Sequence, residues 1–182
     1  MLPSLQDVCS VKICDFSISY EIGGDNGTEL DNAKYTDVGT GIYKAIELCF
    51  GVCSYLCEVD IWAMAIMMTL MYLDTDLPTI MLPGDSSDLE MSDLMVIKTI
   101  FESLGTPSIA PSVEDKRLFW PQMDNDNYHF KQFLFVPNAR KSVESLLPRC
   151  HSKPVRKVFE HLAVYQSSER ASSSILLEMM LE

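Results

Sequence analysis

The chain has 182 residues, 47% apolar and 22% charged, the balance of one globular domain able to bury a sizeable core. Twenty-six acidic residues against fourteen basic ones leave a net charge of -12. Phosphate backbones and anionic lipid surfaces are repelled by such a chain, which disfavours nucleic acid and membrane as partners. The start, Met1-Leu2-Pro3-Ser4, lacks the basic opening and long apolar core of a signal peptide. An intracellular setting, cytoplasmic or nuclear, is therefore expected, with free thiols at Cys9, Cys14, Cys49, Cys53, Cys57 and Cys150. Cys49, Cys53 and Cys57 recur every four residues. Tetrahedral zinc wants four ligands, and neither a CxxC pair nor a nearby His offers the fourth, so they read as buried or half-buried thiols.

In chain order, Ser10 to Cys14 alternates apolar and polar and predicts a short β-strand. Ile18 to Lys44 has no sustained periodicity, and Gly23, Gly24 and Gly27 mark a turn cluster; a loop this long is usually functional or disordered. Ala45 to Phe50 predicts a short helix. Val59 to Leu73 follows, and only Asp60 and Thr69 in it are polar. At about 100° per residue these two fall on opposite sides of a helix, which leaves no polar face. Such a helix calls for cover on every side. It is too short for a membrane span, which takes roughly 20 residues, and acidic residues flank it closely. Asp60 is its oddity, because a carboxylate on a buried helix needs partners for its oxygens.

Leu77 to Asp85, with Pro78, Pro83 and Gly84, is a connector, and Ser87 to Glu90 fits a capping box. Leu94, Ile97, Phe101 and Leu104 stand at helical spacing, with Gly105 as an αL stop and Pro107 beyond it. Ser108 to Cys150 reads as irregular chain whose aromatics, Phe119, Trp120, Tyr128, Phe130, Phe133 and Phe135, pin it to a core. Pro154 suits a first helical position, and Val155, Val158, Phe159, Leu162 and Ala163 make one apolar face. The Ser-rich turn from Ser167 to Ser174 leads to a last helix, Ile175 to Leu181. The fold class expected from the residues alone is mainly α, with a little strand at the front.

Several motifs fall into one order. Val11-Lys12-Ile13-Cys14 running into Asp15-Phe16-Ser17 resembles the strand and DFG metal motif of eukaryotic protein kinases. Tyr35-Thr36 and then Gly41 to Glu47 resemble the activation-loop threonine and the APE motif. Val59-Asp60-Ile61-Trp62 resembles the start of the kinase's central F helix. Pro83 to Ser86, Leu104 to Pro107, Trp120-Pro121 and Tyr165 to Arg170 are similar to segments of the cyclin-dependent kinases. Over nearly its whole length the chain resembles the C-terminal lobe of a cyclin-dependent-kinase-like kinase of the CMGC group.

That resemblance implies a helical bundle around one buried central helix, with residues 1–182 as a partial kinase domain starting just before the DFG-like motif. It implies that Glu47 pairs with Arg170, that Asp60 braces the catalytic loop, that Trp62 is structural and that Thr36 is a phosphosite. Of the catalytic set only Asp15, a vestigial magnesium ligand, remains. The Gly-rich loop, strand Lys and catalytic loop would precede the first residue, and no Asn occurs before Asn26 to serve as the second metal ligand. Ser17 stands in place of the DFG glycine, Ile46 in place of the APE proline, Ala65 in place of a glycine, and Tyr20 in place of a phosphate-receiving arginine. The expectation is a kinase-like lobe inactive by itself, with no catalytic or cofactor-binding residues, acting as a protein-binding module. The alternative is a fragment or incomplete gene model of an active Ser/Thr kinase, which would use Mg-ATP and a cyclin-like partner. With the helix that precedes the catalytic loop missing, one flank of Val59–Leu73 should lie open, as a surface for a protein partner or for self-association.

Overall fold

The computed structural model describes residues 12–24, 29–74, 92–132 and 134–181. The chain divides into two units, 1–30 and 31–182. In the first, residues 12–24 are irregular chain with turns at 17–18 and 22–23. Ser19 donates from both its amide and its hydroxyl to the Phe16 carbonyl, at 3.1 and 2.8 Å. Ser10 and Val11 of the expected strand lie outside the described residues, and Lys12 to Cys14 carry no strand. A strand exists only as half of a pair, and the described part of this unit offers no second edge.

The second unit is a helical assembly: α1 (Ile46–Cys49), α2 (Glu58–Met71), α3 (Asp93–Leu104), α4 (Val143–Leu146), α5 (Lys153–Leu162) and α6 (Ser173–Leu181). Short 3-10 turns at 41–43, 116–118, 121–124, 129–132 and 167–169 connect them. The described residues form no sheet; a parallel bridge joins Ser108 to Phe119.

Strong helix formers, Met, Ala and Leu, fill α2, and Glu58 in its first turn suits the positive end of the helix dipole. It packs against α5 and the turns at 41–43 and 167–169. Ile61, Trp62, Ala65, Ile66 and Thr69 are buried. Thr69 is tolerated there because its hydroxyl donates back to the Ile66 carbonyl at 2.7 Å. Cover is not complete: Asp60, Met64, Met67 and Met71 run along an exposed face, with Met64, Met67 and Met71 44%, 50% and 70% accessible. Positions 60, 64, 67 and 71 share one side of a 3.6-residue helix, so the exposure is a strip.

The proposed capping box at Ser87–Glu90 and the connector at 77–85 lie outside the described residues; the described start of α3 is Asp93, with Ser92 as N-cap. Gly105 ends α3 as expected of a glycine, but not in the αL form. It takes φ 84, ψ 159, a region open essentially to glycine alone. The reason is close backbone approach: a Cβ there would meet the Arg140 nitrogen at 2.8 Å. Thr106 and Lys141 donate to Asn138 and Ser103 carbonyls around the same point.

The segment between 108 and 150 is pinned by aromatics. Phe50 stacks on Phe130 at 4.4 Å between ring centres and meets Trp120 edge-on at 5.8 Å. Trp120 stacks on Tyr165 at 5.5 Å, and Phe135 meets Phe101 at 4.9 Å. Such pairs add about 0.5–1.5 kcal/mol each beyond burial, enough to hold irregular chain against a helical core. In α5, Ser152 caps the Val155 amide and Pro154 sits in the first turn. Val158, Phe159, Leu162 and the following Ala163 are buried, each large side chain contributing about 1.5–3 kcal/mol.

Candidate functional site

The site is best built outward from Arg170, which follows the 3-10 turn 167–169 and is buried. Its Nη1 donates to Glu47 Oε1 at 2.6 Å and its Nη2 to Glu47 Oε2 at 2.8 Å. Further donations reach the carbonyls of Glu58, Val164 and Tyr165. The guanidinium lies 4.7 Å from the centre of the Trp62 ring, a cation–π placement. One side chain therefore gathers α1, the first turn of α2 and the chain after α5. Glu47 is in place because α1 is a single turn whose four residues are all buried, so its one acid must find a partner inside.

Ahead of α1 lies the segment that carries Thr36. Thr36 is half-buried, between exposed Tyr35 and Asp37. Lys44 is buried and pairs with Asp93 at the start of α3 (2.9 Å) and with Asp37 (3.7 Å). Burial, above all, pushes the neighbouring Cys49 thiol far up from its ordinary range, with the Asp93 charge adding to it. Nothing in the sequence near Lys44 signals Asp93, 49 positions away.

Asp60 is on the exposed face of α2, and among the described residues no hydrogen bond reaches its carboxylate. Partial burial still raises its pKa above the usual carboxylate range. Trp62 is buried, and its Nε1 has no partner among the described residues. Asp15 belongs to the first unit and adopts φ 66, a left-handed conformation that Asp tolerates better than most residues. Ser17 Oγ donates to its Oδ1 at 2.7 Å. A magnesium–nucleotide site calls for an Asn beside such an Asp and a lysine on the phosphates. Among the described residues no three His, Cys, Asp or Glu side chains converge as a metal-holding group. The described cysteines form no disulfide.

A second polar cluster, with no signal in the sequence, lies at the far end of α5. Arg117 donates to both oxygens of Asp115 at 2.8 and 2.9 Å and also pairs with Glu160. Arg140 sits beside it, and burial together with the Arg117 charge lowers its pKa to about 10. An open pocket of about 600 Å3 adjoins Phe119, Glu160 and His161, and none of the expected site residues lines it.

Comparison with known proteins finds relatives among the protein kinases. Over 168 residues, 91% of this chain, it is 30% identical to the serine/threonine-protein kinase csk1 of Schizosaccharomyces pombe, covering 48% of that protein. The chain is related to the cyclin-dependent kinases. It is 38% identical over 105 residues to the serine/threonine-protein kinase CAK1 of Saccharomyces cerevisiae, a stretch of 53% of this chain and 28% of that one. With the cyclin-dependent kinase 7 of Xenopus laevis it shares 33% identity over 130 residues, 70% of this chain and 30% of the relative. The chain thus spans about half the length, or less, of the relatives it matches. No protein-family model matches it. In this kinase-like lobe, the mainly helical fold and the ordered motifs agree. No described helix is long and apolar enough to cross a membrane.

Proposed function

We propose that this chain is a kinase-like C-terminal lobe that transfers no phosphate by itself and acts inside the cell by binding protein. The observation that carries the reading is the strip Asp60, Met64, Met67 and Met71 on a helix with an otherwise apolar surface. Contiguous apolar patches beyond a few hundred Å2 are rare on monomers, and such patches mark partner surfaces or aggregation liabilities. Methionine suits such a surface, because its unbranched thioether repacks against different shapes. The partner is a protein that lays an apolar helix along α2, and a second copy of the chain is the competing occupant. Asp15 is then a vestigial ligand, and Glu47, Trp62 and Arg170 are structural.

The test is sedimentation of the full chain beside a Met64→Lys/Met67→Lys/Met71→Lys variant, with an apolar dye as a second readout. Dye binding that vanishes in the variant, at unchanged melting temperature, supports the reading; self-association that vanishes with it makes a second copy the occupant instead. A monodisperse wild-type monomer that melts sharply at high temperature and binds no dye overturns it.

A second reading is favoured by the coverage of the relatives, of which this chain matches 28–48%. In it the chain is half of an active Ser/Thr kinase that uses Mg-ATP, is phosphorylated at Thr36 and pairs with a cyclin-like protein. An upstream open reading frame encoding a Gly-rich loop, a strand lysine and a catalytic loop would decide for it. Stop codons there would decide against it.

A further inference from the structure

Residues 31–38, which carry Thr36, run beside residues 51–57 and are tied to them at several points. The Lys34 amide donates to the Cys53 carbonyl at 3.0 Å. Cys53 Sγ lies 3.2 Å from the Asn32 carbonyl, which accepts its weak S–H bond. The Tyr55 hydroxyl donates to the Tyr35 carbonyl. The Lys34 side chain is folded in, only 4% of the residue being accessible. Its ammonium donates to the Asp31 carbonyl at 2.6 Å and stands 5.5 Å from the centre of the Tyr55 ring. Tyr55 thus grips the segment twice, with its hydroxyl on the backbone and its ring face on a cation. On the other side of Thr36, Asp37 is paired with Lys44, and Val38 packs against the core.

We propose that Tyr55, Lys34 and Cys53 form a clamp that orders residues 31–38 without phosphorylation, so that a phosphate on Thr36 does not set the order of this segment. A phosphate orders a loop by recruiting cations, arginines above all. The two lysines that flank the segment are already engaged: Lys34 with the Asp31 carbonyl and the Tyr55 ring, and Lys44 with Asp93 and Asp37. A phosphate would also add negative charge next to Asp37. The second half of this inference rests on Thr36 being a modification point; the clamp itself does not.

The experiment is amide exchange by NMR on the full chain, in four forms: unmodified, Tyr55→Phe, Lys34→Met, and with phosphothreonine installed at 36. In the unmodified chain the Lys34 amide should be protected. Tyr55→Phe keeps the ring and removes one hydrogen bond, and should speed exchange there about three- to tenfold. Lys34→Met should act in the same direction. In both variants the amides of α5 should be unchanged, which separates loss of the clamp from loss of the fold. Phosphothreonine should alter exchange in 31–38 less than about twofold. An unprotected Lys34 amide in the unmodified chain, no response to Tyr55→Phe, or a tenfold slowing by the phosphate would each overturn the proposal. Failure of any kinase to phosphorylate Thr36 would remove the modification reading and leave the clamp standing.

Discussion

Arg170 and Glu47, 123 positions apart in the chain, form a two-pronged ion pair whose side chains are 0% and 3% accessible. Burial on this scale means that neither charge can be left alone. Glu47→Ala should cost about 3–5 kcal/mol, because Arg170 stays behind uncompensated. Arg170→Ala should cost a similar amount and also uncover the Trp62 ring face. The double variant should lose less than the sum, since the two share one interaction. Urea unfolding of the four proteins checks this; additive losses under about 1 kcal/mol for each single change would show that the pair holds nothing together.

Gly105 offers a test at the end of α3. Gly105→Ala places a Cβ within 2.8 Å of the Arg140 nitrogen, at a φ of 84. Strain of this kind costs on the order of 1–3 kcal/mol, before any displacement of the chain around Arg140. A lowered urea midpoint with unchanged slope is expected. Equal stability of the two proteins would mean that the close approach between 105 and 140 relaxes freely.

Two carboxylates should respond to pH with opposite sign. Burial raises the pKa of Asp60, so its charged form is disfavoured on folding and stability falls as pH rises through that raised value. Asp60→Asn should therefore stabilise the chain at pH 7, with the gain vanishing below the unfolded value of about 3.9. For Asp115, burial alone would raise the pKa, but the hydrogen bonds from the Arg117 side chain and backbone bring it below the ordinary value. Its contribution is present above the unfolded value and lost as pH falls through the lowered one. Asp115→Asn should destabilise at pH 7 and make little difference at pH 2. Melting curves of both variants across pH 2–7 measure the two signs; parallel curves for either variant and wild type would refute the assignment.

The central helix, the helix before Gly105 and the helix behind Pro154 were all legible, because composition, periodicity and end signals agree there. For α2 the range of Val59–Leu73 differs from the observed Glu58–Met71 by only one or two residues at each end. The stretch from 108 to 150 was legible as irregular chain pinned by aromatics, yet its 3-10 turns and α4 were not. Those elements are three or four residues long, shorter than any period that a pattern can show. The pairings of Lys44 with Asp93 and of Arg117 with Glu160 lie 49 and 43 positions apart, and tertiary packing alone brings them together. Glu47 and Arg170 could be matched across a greater distance only because the motif order of the kinases supplied the correspondence.

Catalysis is the remaining prediction. The purified chain, supplied with Mg-ATP and generic Ser/Thr substrates, should show no phosphotransfer above background. Phosphoryl transfer rests on positioning and charge stabilisation by several groups at once, and Asp15 is one of them alone. Radiolabelled phosphate incorporation that disappears in Asp15→Ala would contradict this.

The three cysteines spaced by four grade from buried Cys49 through half-buried Cys53 to exposed Cys57. Only the thiolate attacks an alkylating reagent, and burial holds the Cys49 thiol protonated far beyond its ordinary range. A maleimide should therefore label Cys57 at once and reach Cys49 only in molecules whose α1 turn has opened. Read against time, the mass of the proteolytic peptide that carries Cys49 then becomes a clock for local opening, with the fast residue eight positions away as its internal standard.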